Sequence, residues 1–346
     1  MSKILLATDM HLDNWNYFST ITKDGYNSRL IKQLEVFEQL LNYAREHNCY
    51  FVHGGDLWNR RLLIPSDVIH LTYKLLASYP KVTTYILIGN HDAYNWDSKC
   101  TPLSVLNGLK HVNVIDYPAE VYFQPNVTIN FIPYGGLIPA IPTDRTDEMY
   151  SILLTHYGVN EAKLGPTGVR MESDLTVKQI QEFGYDLTLL GHIHKPQALA
   201  DNIIVMGSAM AHSFHEVNET KYFYVFDCET RELVKYPTNA PKFIVHNITS
   251  KEDLQFLPML MVPDNYYRLN VLGPEITHED MKPFVGDNVI ISFAATSEYL
   301  QASSPTTETR TPQEEVEDYY SVLETDLDKK KLKKKAKEVI DSYGKS

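Results

Sequence analysis

Five short clusters along the chain carry oxygen and nitrogen donors able to hold a metal ion, three of them opened by glycine: Asp9-Met10-His11, Gly55-Asp56, Gly89-Asn90-His91-Asp92, Thr155-His156 and Gly191-His192-Ile193-His194. Carboxylate, amide oxygen and imidazole without thiolate suit manganese, iron or zinc at a hydrolytic centre. Taken singly, a Gly-Asp or His-x-His is an ordinary turn or a solvated face. Five in one chain, each directly after an apolar run, supply roughly seven to eight donors, enough for two ions with room left for solvent. Two ions about 3.5–4 Å apart need a bridging carboxylate, and Asp56, alone at its cluster, is the candidate.

The apolar runs are the elements that must position these groups. Lys3–Thr8, Tyr50–His53, Val82–Ile88, Ser151–Leu154 and Asp186–Leu190 read as buried strands. Arg29–Ala44 places Leu30, Leu34, Phe37, Leu41 and Ala44 at helical spacing. Ser66 can cap a helix over Asp67–Ser78. This alternation predicts an α/β fold with parallel strands and crossover helices. In such sheets the carboxyl ends of the strands form the ligand crevice. Val112–Ile115, Glu120–Phe123 and Val127–Ile132 are short, are separated by Pro, Asn and Gly, and read as antiparallel strands. Thr176–Phe183 reads as a helix, and Ile203–Met206, Tyr222–Asp227 and Leu233–Tyr236 as strands.

A new region starts near Thr238-Asn239-Ala240-Pro241. It carries strand-like Phe243–Ile248, Tyr267–Val271 and Val289–Phe293 and a helix start at Thr277–Asp280, as a small α+β domain would. Gln301–Pro312 is rich in Ser, Thr and Pro and reads as a flexible linker. Beyond it, Val316, Tyr320, Leu323 and Leu327 recur at helical spacing, and seven lysines fall within Lys329–Lys337.

Composition narrows the class. The chain has 346 residues, 43% hydrophobic and 22% charged, which is ample for a packed core and argues against long disorder. A net charge of −12 argues against coating nucleic acid through bulk charge, though not against a local basic patch or bound cations. Cys49, Cys100 and Cys228 are too few and scattered for a disulfide framework, so a reducing, cytoplasmic compartment is expected. The start fits no signal peptide, no run is long enough to span a membrane, and no membrane partner is expected.

The ordered set Asp-x-His, Gly-Asp, Gly-Asn-His-Asp, His, Gly-His-x-His resembles the calcineurin-like metallophosphoesterase superfamily across roughly residues 3–195. More narrowly the chain resembles the SbcD family of recombination nucleases. The closest pieces are Gly54–Trp58, Leu190–Gln197, Gly207-Ser208 with Ser213-Phe214-His215-Glu216, and Lys221-Tyr222. Residues Ala209–His212 depart from that family's pattern.

The resemblance implies a four-layer α/β/β/α sandwich with a small α+β cap and a C-terminal helical extension. The chain then divides into a nuclease domain (1–238), a cap for DNA binding and specificity (239–300), a linker (301–313) and a helical partner-binding segment (314–346). Asp9, His11, Asp56 and His194 would hold one ion, and Asp56, Asn90, His156 and His192 the other. Manganese is expected, with magnesium, iron or zinc as alternatives. Solvent between the ions would attack phosphorus in line.

Two imidazoles one residue apart must diverge or be bent together by the loop, so His192 and His194 can serve different ions without crowding one. In an extended backbone His91 points away from Asn90. The resemblance assigns His91 to the scissile phosphate, as transition-state stabiliser or general acid. Asp92 would orient the His91 ring. Arg60 and Arg61 could pair with DNA phosphates, His212 and His215 could touch substrate, and Trp15, Tyr17 and Phe18 could stack on a base. His53 reads as a packed core residue.

The expected activity is metal-dependent DNA cleavage: exonuclease on duplex ends and endonuclease on single strands or hairpins. An SbcC-type coiled-coil ATPase would bind the C-terminal segment, and two copies would pair as a homodimer. A metallophosphoesterase for small-molecule or protein phosphoesters is the alternative. A structural component with a dead site is a third reading, opposed by the complete donor set.

Overall fold

A computed structural model of the chain describes residues 2–94, 101–141, 148–165, 169–170, 173 and 175–293. The expected linker and the helical segment over 314–346, with its lysine run, lie outside the described residues, as does Cys100.

The first half runs β1 (Lys3–Ala7), α1 (Ser28–Glu46), β2 (Tyr50–His53), α2 (Ser66–Ala77), β3 (Thr84–Leu87) and β4 (Val112–Ile115). Next come β5 (Ala119–Phe123), β6 (Val127–Ile132), β7 (Tyr150–Thr155), β8 (Lys163–Leu164), β9 (Val169–Arg170), α3 (Val177–Glu182), β10 (Leu187–Leu190), β11 (Gln197–Ala200) and β12 (Ile203–Val205). β13 (Tyr222–Asp227) and β14 (Leu233–Pro237) return to the first sheet. The described chain closes with β15 (Phe243–Ile248), α4 (Lys251–Leu260), β16 (Tyr266–Val271), α5 (His278–Met281) and β17 (Val289–Phe293).

Two mixed six-stranded sheets result, in the orders β14-β13-β1-β2-β3-β4 and β11-β12-β10-β7-β6-β5. Their facing sides close on one another because successive side chains alternate across a strand. Ile4, Leu6, Val52 and Leu87 of the first sheet meet Ile129, Phe131, Ile152 and Leu154 of the second. The opposite side of the first sheet sends Leu5, Phe51 and Ile86 against Phe37, Leu41 and Leu76 of α1 and α2. The outer side of the second sheet packs Ile203 and Val205 near Ile180 of α3. This is the expected α/β/β/α layering.

Local chemistry explains most boundaries. Asn27 caps α1, its side chain accepting from the Arg29 and Leu30 N–H groups. Thr176 caps α3 in a capping box with Gln179. Ser66 does not cap α2: it is the first helical residue, and Pro65 holds the cap position without a side-chain bond.

The antiparallel reading of Val112–Ile115 is also corrected. β4 pairs parallel to β3, Thr84 opposite Val112 and Leu87 opposite Ile115. The intervening segment, with a short 3-10 helix over Pro102–Gly108, is long enough for a crossover. Punctuation by Pro, Asn and Gly limits a strand's length but does not set its direction. β5 and β6 are antiparallel, as read.

β15, β16 and β17 form a parallel three-stranded sheet. With α4 and α5 it has a core of its own, including Leu257, Tyr267, Leu269 and Met281. Sequence periodicity passes over α4 because Pro258 interrupts it. Rings of Phe18, Phe214, Phe243 and Tyr266 join this sheet to the sandwich. The described residues form one compact unit.

Candidate metal centre

Every cluster singled out in the sequence leaves the carboxyl end of a strand. Asp9 and His11 follow β1, Asp56 follows β2, Asn90 and His91 follow β3, His156 follows β7, and His192 and His194 follow β10. The two sheets lie face to face, so tips from both meet at one edge.

The backbone there is unusual. Asp9 (φ 55°), His11 (φ 44°), Asp56 (φ 55°) and His192 (φ 78°) all adopt the left-handed conformation. Such conformations cost on the order of 1 kcal/mol each and persist where the surroundings enforce them. Here the enforcement is hydrogen bonding between tips: the Asp9 N–H donates to the Gly55 carbonyl and the His11 N–H to the Asp56 carbonyl, both at 3.0 Å. Glycine is required beside them. A Cβ on Gly89 would overlap the Asp56 carboxylate, and one on Gly55 the His156 ring.

Asp56 Oδ2 lies 3.2 Å from His156 Nε2 and 3.6 Å from His11 Nε2, between the two halves of the site. On one side Asp9 Oδ1 is 3.7 Å from His11 Nε2 and 3.8 Å from His194 Nε2, and the two imidazole nitrogens face each other at 3.1 Å. On the other, His192 Nδ1 meets Asn90 Oδ1 at 2.8 Å, and Asp56, His156 and His192 cluster.

Electrostatics follow from two buried carboxylates. Burial opposes charge on Asp9, yet His156, His11 and His194 hold its carboxyl well below the usual carboxylate range. Asp56 is likewise lowered, chiefly by His156, against burial. Burial also opposes protonation of His156, but Asp56 and Asp9 push it up to about 10. Burial and the neighbouring His156 bring His192 down to about 4. The site therefore demands positive charge between its carboxylates.

The residues fit divalent ions on further grounds. Asp9 Oδ1 and His156 Nε2 are buried without a hydrogen-bond partner, a cost that a metal ion would relieve. The oxygen-and-imidazole donor set is that of hydrolytic metals. Divalent ions held here would activate water for attack on a phosphorus centre and neutralise charge developing on its oxygens.

His91 is placed by the protein itself. Its N–H donates to Asp56 Oδ1 at 2.7 Å, and its Nδ1 meets the Asn59 carbonyl. A carbonyl only accepts, so Nδ1 carries the hydrogen and Nε2 is left to take or give a proton. Asn90–Asp92 form a turn rather than extended backbone, and the turn is what separates Asn90 from His91. The orienting part expected of Asp92 falls to Asn59. Asp92 is buried and accepts from the Leu57, Trp58 and Gly89 N–H groups. Sequence reasoning misses Asn59, because a contact through its main chain leaves no residue-type signal.

The remaining candidates divide. Arg60 is exposed, with its Nε 2.8 Å from the buried Asp13 carboxylate. Arg61 and His215 are exposed. His212 is buried against Asp9, His11 and His194. His53 is fully buried, and burial brings it down to about 3. Trp15 is half-buried and stacks over His212, Tyr17 is exposed, and Phe18 packs on the β15–β17 sheet.

Glu216 adds a group the candidate set lacked, although it stands in the Ser213–Glu216 stretch of the resemblance. It accepts from His194 Nδ1 (3.3 Å), Ser208 and Lys221. Its carboxylate raises His194 against burial. A cavity of about 450 Å³ lined by Trp15, His192, His194, His212, His215 and Glu216 opens beside this group.

Fold and site together define a metallophosphoesterase, a metal-dependent hydrolase of phosphoesters. The calcineurin-like phosphoesterase family matches residues 2–196, more than half of the chain, and the chain belongs to that family. "Putative phosphoesterase 244L" of Invertebrate iridescent virus 6 is 25% identical over 227 residues, covering 62% of this chain and 78% of that protein. "Putative phosphoesterase 078R" of Invertebrate iridescent virus 3 is 27% identical over 179 residues, 48% of each chain. The SbcD component of the SbcCD nuclease of Staphylococcus saprophyticus is 23% identical over 261 residues, 67% of each. Among solved structures, a dimetal phosphatase from Danio rerio covers 68% of this chain and 95% of its own, with 13% identity and a TM-score of 0.45. Members of this fold typically bind two divalent metals, and the His/Asp cluster is compatible with that. No helix among the described residues is long and apolar enough to cross a membrane.

Proposed function

We propose that this chain is a dinuclear-metal DNA phosphodiesterase, an exonuclease on duplex ends and an endonuclease on single-stranded or hairpin DNA. It would act with an SbcC-type coiled-coil ATPase in recombination and double-strand-break processing. The observation that carries the reading is the stretch Gly207–Lys221. It lies beyond the matched phosphoesterase segment, resembles the SbcD pattern, and ties Glu216, Ser208 and Lys221 directly to His194. Likeness to the staphylococcal SbcD component over 261 residues supports it.

In this reading Asp9, His11, Asp56 and His194 hold one ion and Asp56, Asn90, His156 and His192 the other, with manganese as the native metal. His91 stabilises the transition state or protonates the leaving oxygen. Residues 239–300 serve as the DNA-facing cap, and Arg60, Arg61 and His215 lie on the substrate side. The segment after residue 313 docks the ATPase. The protein works in the cytoplasm and pairs as a homodimer.

A phosphoesterase for small-molecule or protein substrates is the second reading. The iridescent-virus protein 244L, at 25% identity, is described only as a "Putative phosphoesterase", which suits this reading as well as the first. Purified protein with manganese, offered end-labelled duplex, a DNA hairpin and a chromogenic phosphodiester, separates the two. Cleavage of DNA by wild type but not by Asp9→Ala supports the nuclease. Turnover of the small diester alone, unchanged by an added SbcC-type partner, favours the second reading.

A further inference from the structure

His212 lies in a stretch, Ala209–His212, that departs from the pattern of the SbcD resemblance. Its placement is built from several sides. Arg29 donates to its carbonyl at 2.6 Å, and its N–H donates to Glu216 at 3.1 Å. The Arg29 guanidinium sits over Trp15, Phe243 and Tyr266. The His212 ring is buried, and its Nε2 is 3.0 Å from the Asp9 carbonyl. A carbonyl only accepts, so Nε2 carries the hydrogen and the neutral ring keeps its lone pair on Nδ1. That Nδ1 is buried with no hydrogen-bond partner, an arrangement proteins avoid unless something answers the lone pair.

Two other imidazoles stand beside it. Ring centres of His11 and His194 are 4.9 Å apart, those of His11 and His212 4.9 Å, and those of His194 and His212 5.0 Å. One ring nitrogen from each lies within 4.8 Å of the others. Three imidazoles sharing an ion at ~2.0–2.1 Å place their ring centres roughly 5 Å apart.

We propose that His212 is a third imidazole donor to the ion held by His11 and His194. This position is therefore nitrogen-rich and prefers borderline ions such as zinc, iron(II) or cobalt(II) over magnesium. The inference rests on the two-metal reading of the site and is independent of DNA as the substrate.

The test is metal binding by the full chain, stripped of ions and titrated with cobalt(II), zinc and magnesium against a chromophoric chelator. The cobalt d–d absorption is recorded alongside. His212→Gln keeps an N–H able to reach the Asp9 carbonyl but lacks the imidazole lone pair, and His212→Leu lacks both. In both variants one of two zinc sites should weaken at least ~10-fold, the cobalt bands should shift, and the other site should be unchanged. Circular dichroism checks that each variant is folded, and Gln carries the test if Leu unfolds. Two wild-type sites with an unchanged cobalt spectrum in His212→Gln would overturn the proposal and leave His212 a brace for Asp9. A wild-type chain that binds fewer than two ions would overturn it together with the two-metal reading. Two bound ions without DNA cleavage would remove only the nuclease.

Discussion

Replacing Asp92 with alanine is expected to destabilise the protein by about 3–5 kcal/mol. The Asp92 carboxylate, 1% exposed, joins two loops of the site. Its Oδ2 accepts from the Leu57 N–H at 3.3 Å and the Gly89 N–H at 3.1 Å, and its Oδ1 from the Trp58 N–H at 3.2 Å. Alanine leaves three buried donors unanswered, at ~1–3 kcal/mol each, and water entering the vacated space relieves part of the total. In a domain of this size the loss lowers the melting temperature by ~5–8 °C. Asp92→Asn keeps one acceptor oxygen but turns an NH₂ toward backbone donors, so it should fall between wild type and alanine. Thermal melts of metal-stripped protein followed by circular dichroism measure both. An alanine variant that melts within ~2 °C of wild type but has lost turnover would refute the structural role and return Asp92 to orienting His91.

His91→Ala should retain both ions, counted by elemental analysis, while losing most turnover; loss of an ion would make His91 a ligand instead. Gly191→Ala would put a Cβ 2.6 Å from His156 Nδ1 and 2.8 Å from the Gly54 carbonyl, so it should displace His156 and reduce bound metal. Two tightly held ions and a wild-type melt would contradict that packing argument. Burial pushes the Cys49 and Cys228 thiols up to about 11 from an ordinary 9.0. The unfolded chain releases these protons from about pH 9 and the native chain only near pH 11, so their contribution to stability falls as pH rises through that window. Alkylation at pH 8, mapped by mass spectrometry, should spare both cysteines in the native protein, and rapid native labelling of either would count against their burial.

Much of the architecture is legible in the sequence because strands buried on both faces leave uninterrupted apolar runs. Lys3–Ala7, Tyr50–His53 and Leu187–Leu190 announce themselves in this way. So do the donor-bearing tips, since each cluster follows such a run directly. Direction and partnership are less legible. Val112–Ile115 has the same composition whether it pairs parallel or antiparallel, and only the crossover before it decides. α4 hides behind Pro258, which breaks the periodicity without breaking the helix.

The residue types and order of the centre, from Asp9 to His194, were determined by the sequence alone, because apolar runs and ligand chemistry are local properties. The tertiary structure decided which groups share a partner. His91 is oriented by a main-chain carbonyl at Asn59, Asp92 is engaged by three backbone donors, and Arg60 is bound to Asp13. His212 comes to lie beside His11, some two hundred positions away in the chain. Such contacts arise from sheets closing face to face, and a backbone carbonyl or N–H is the same in every residue type, so no local pattern records them.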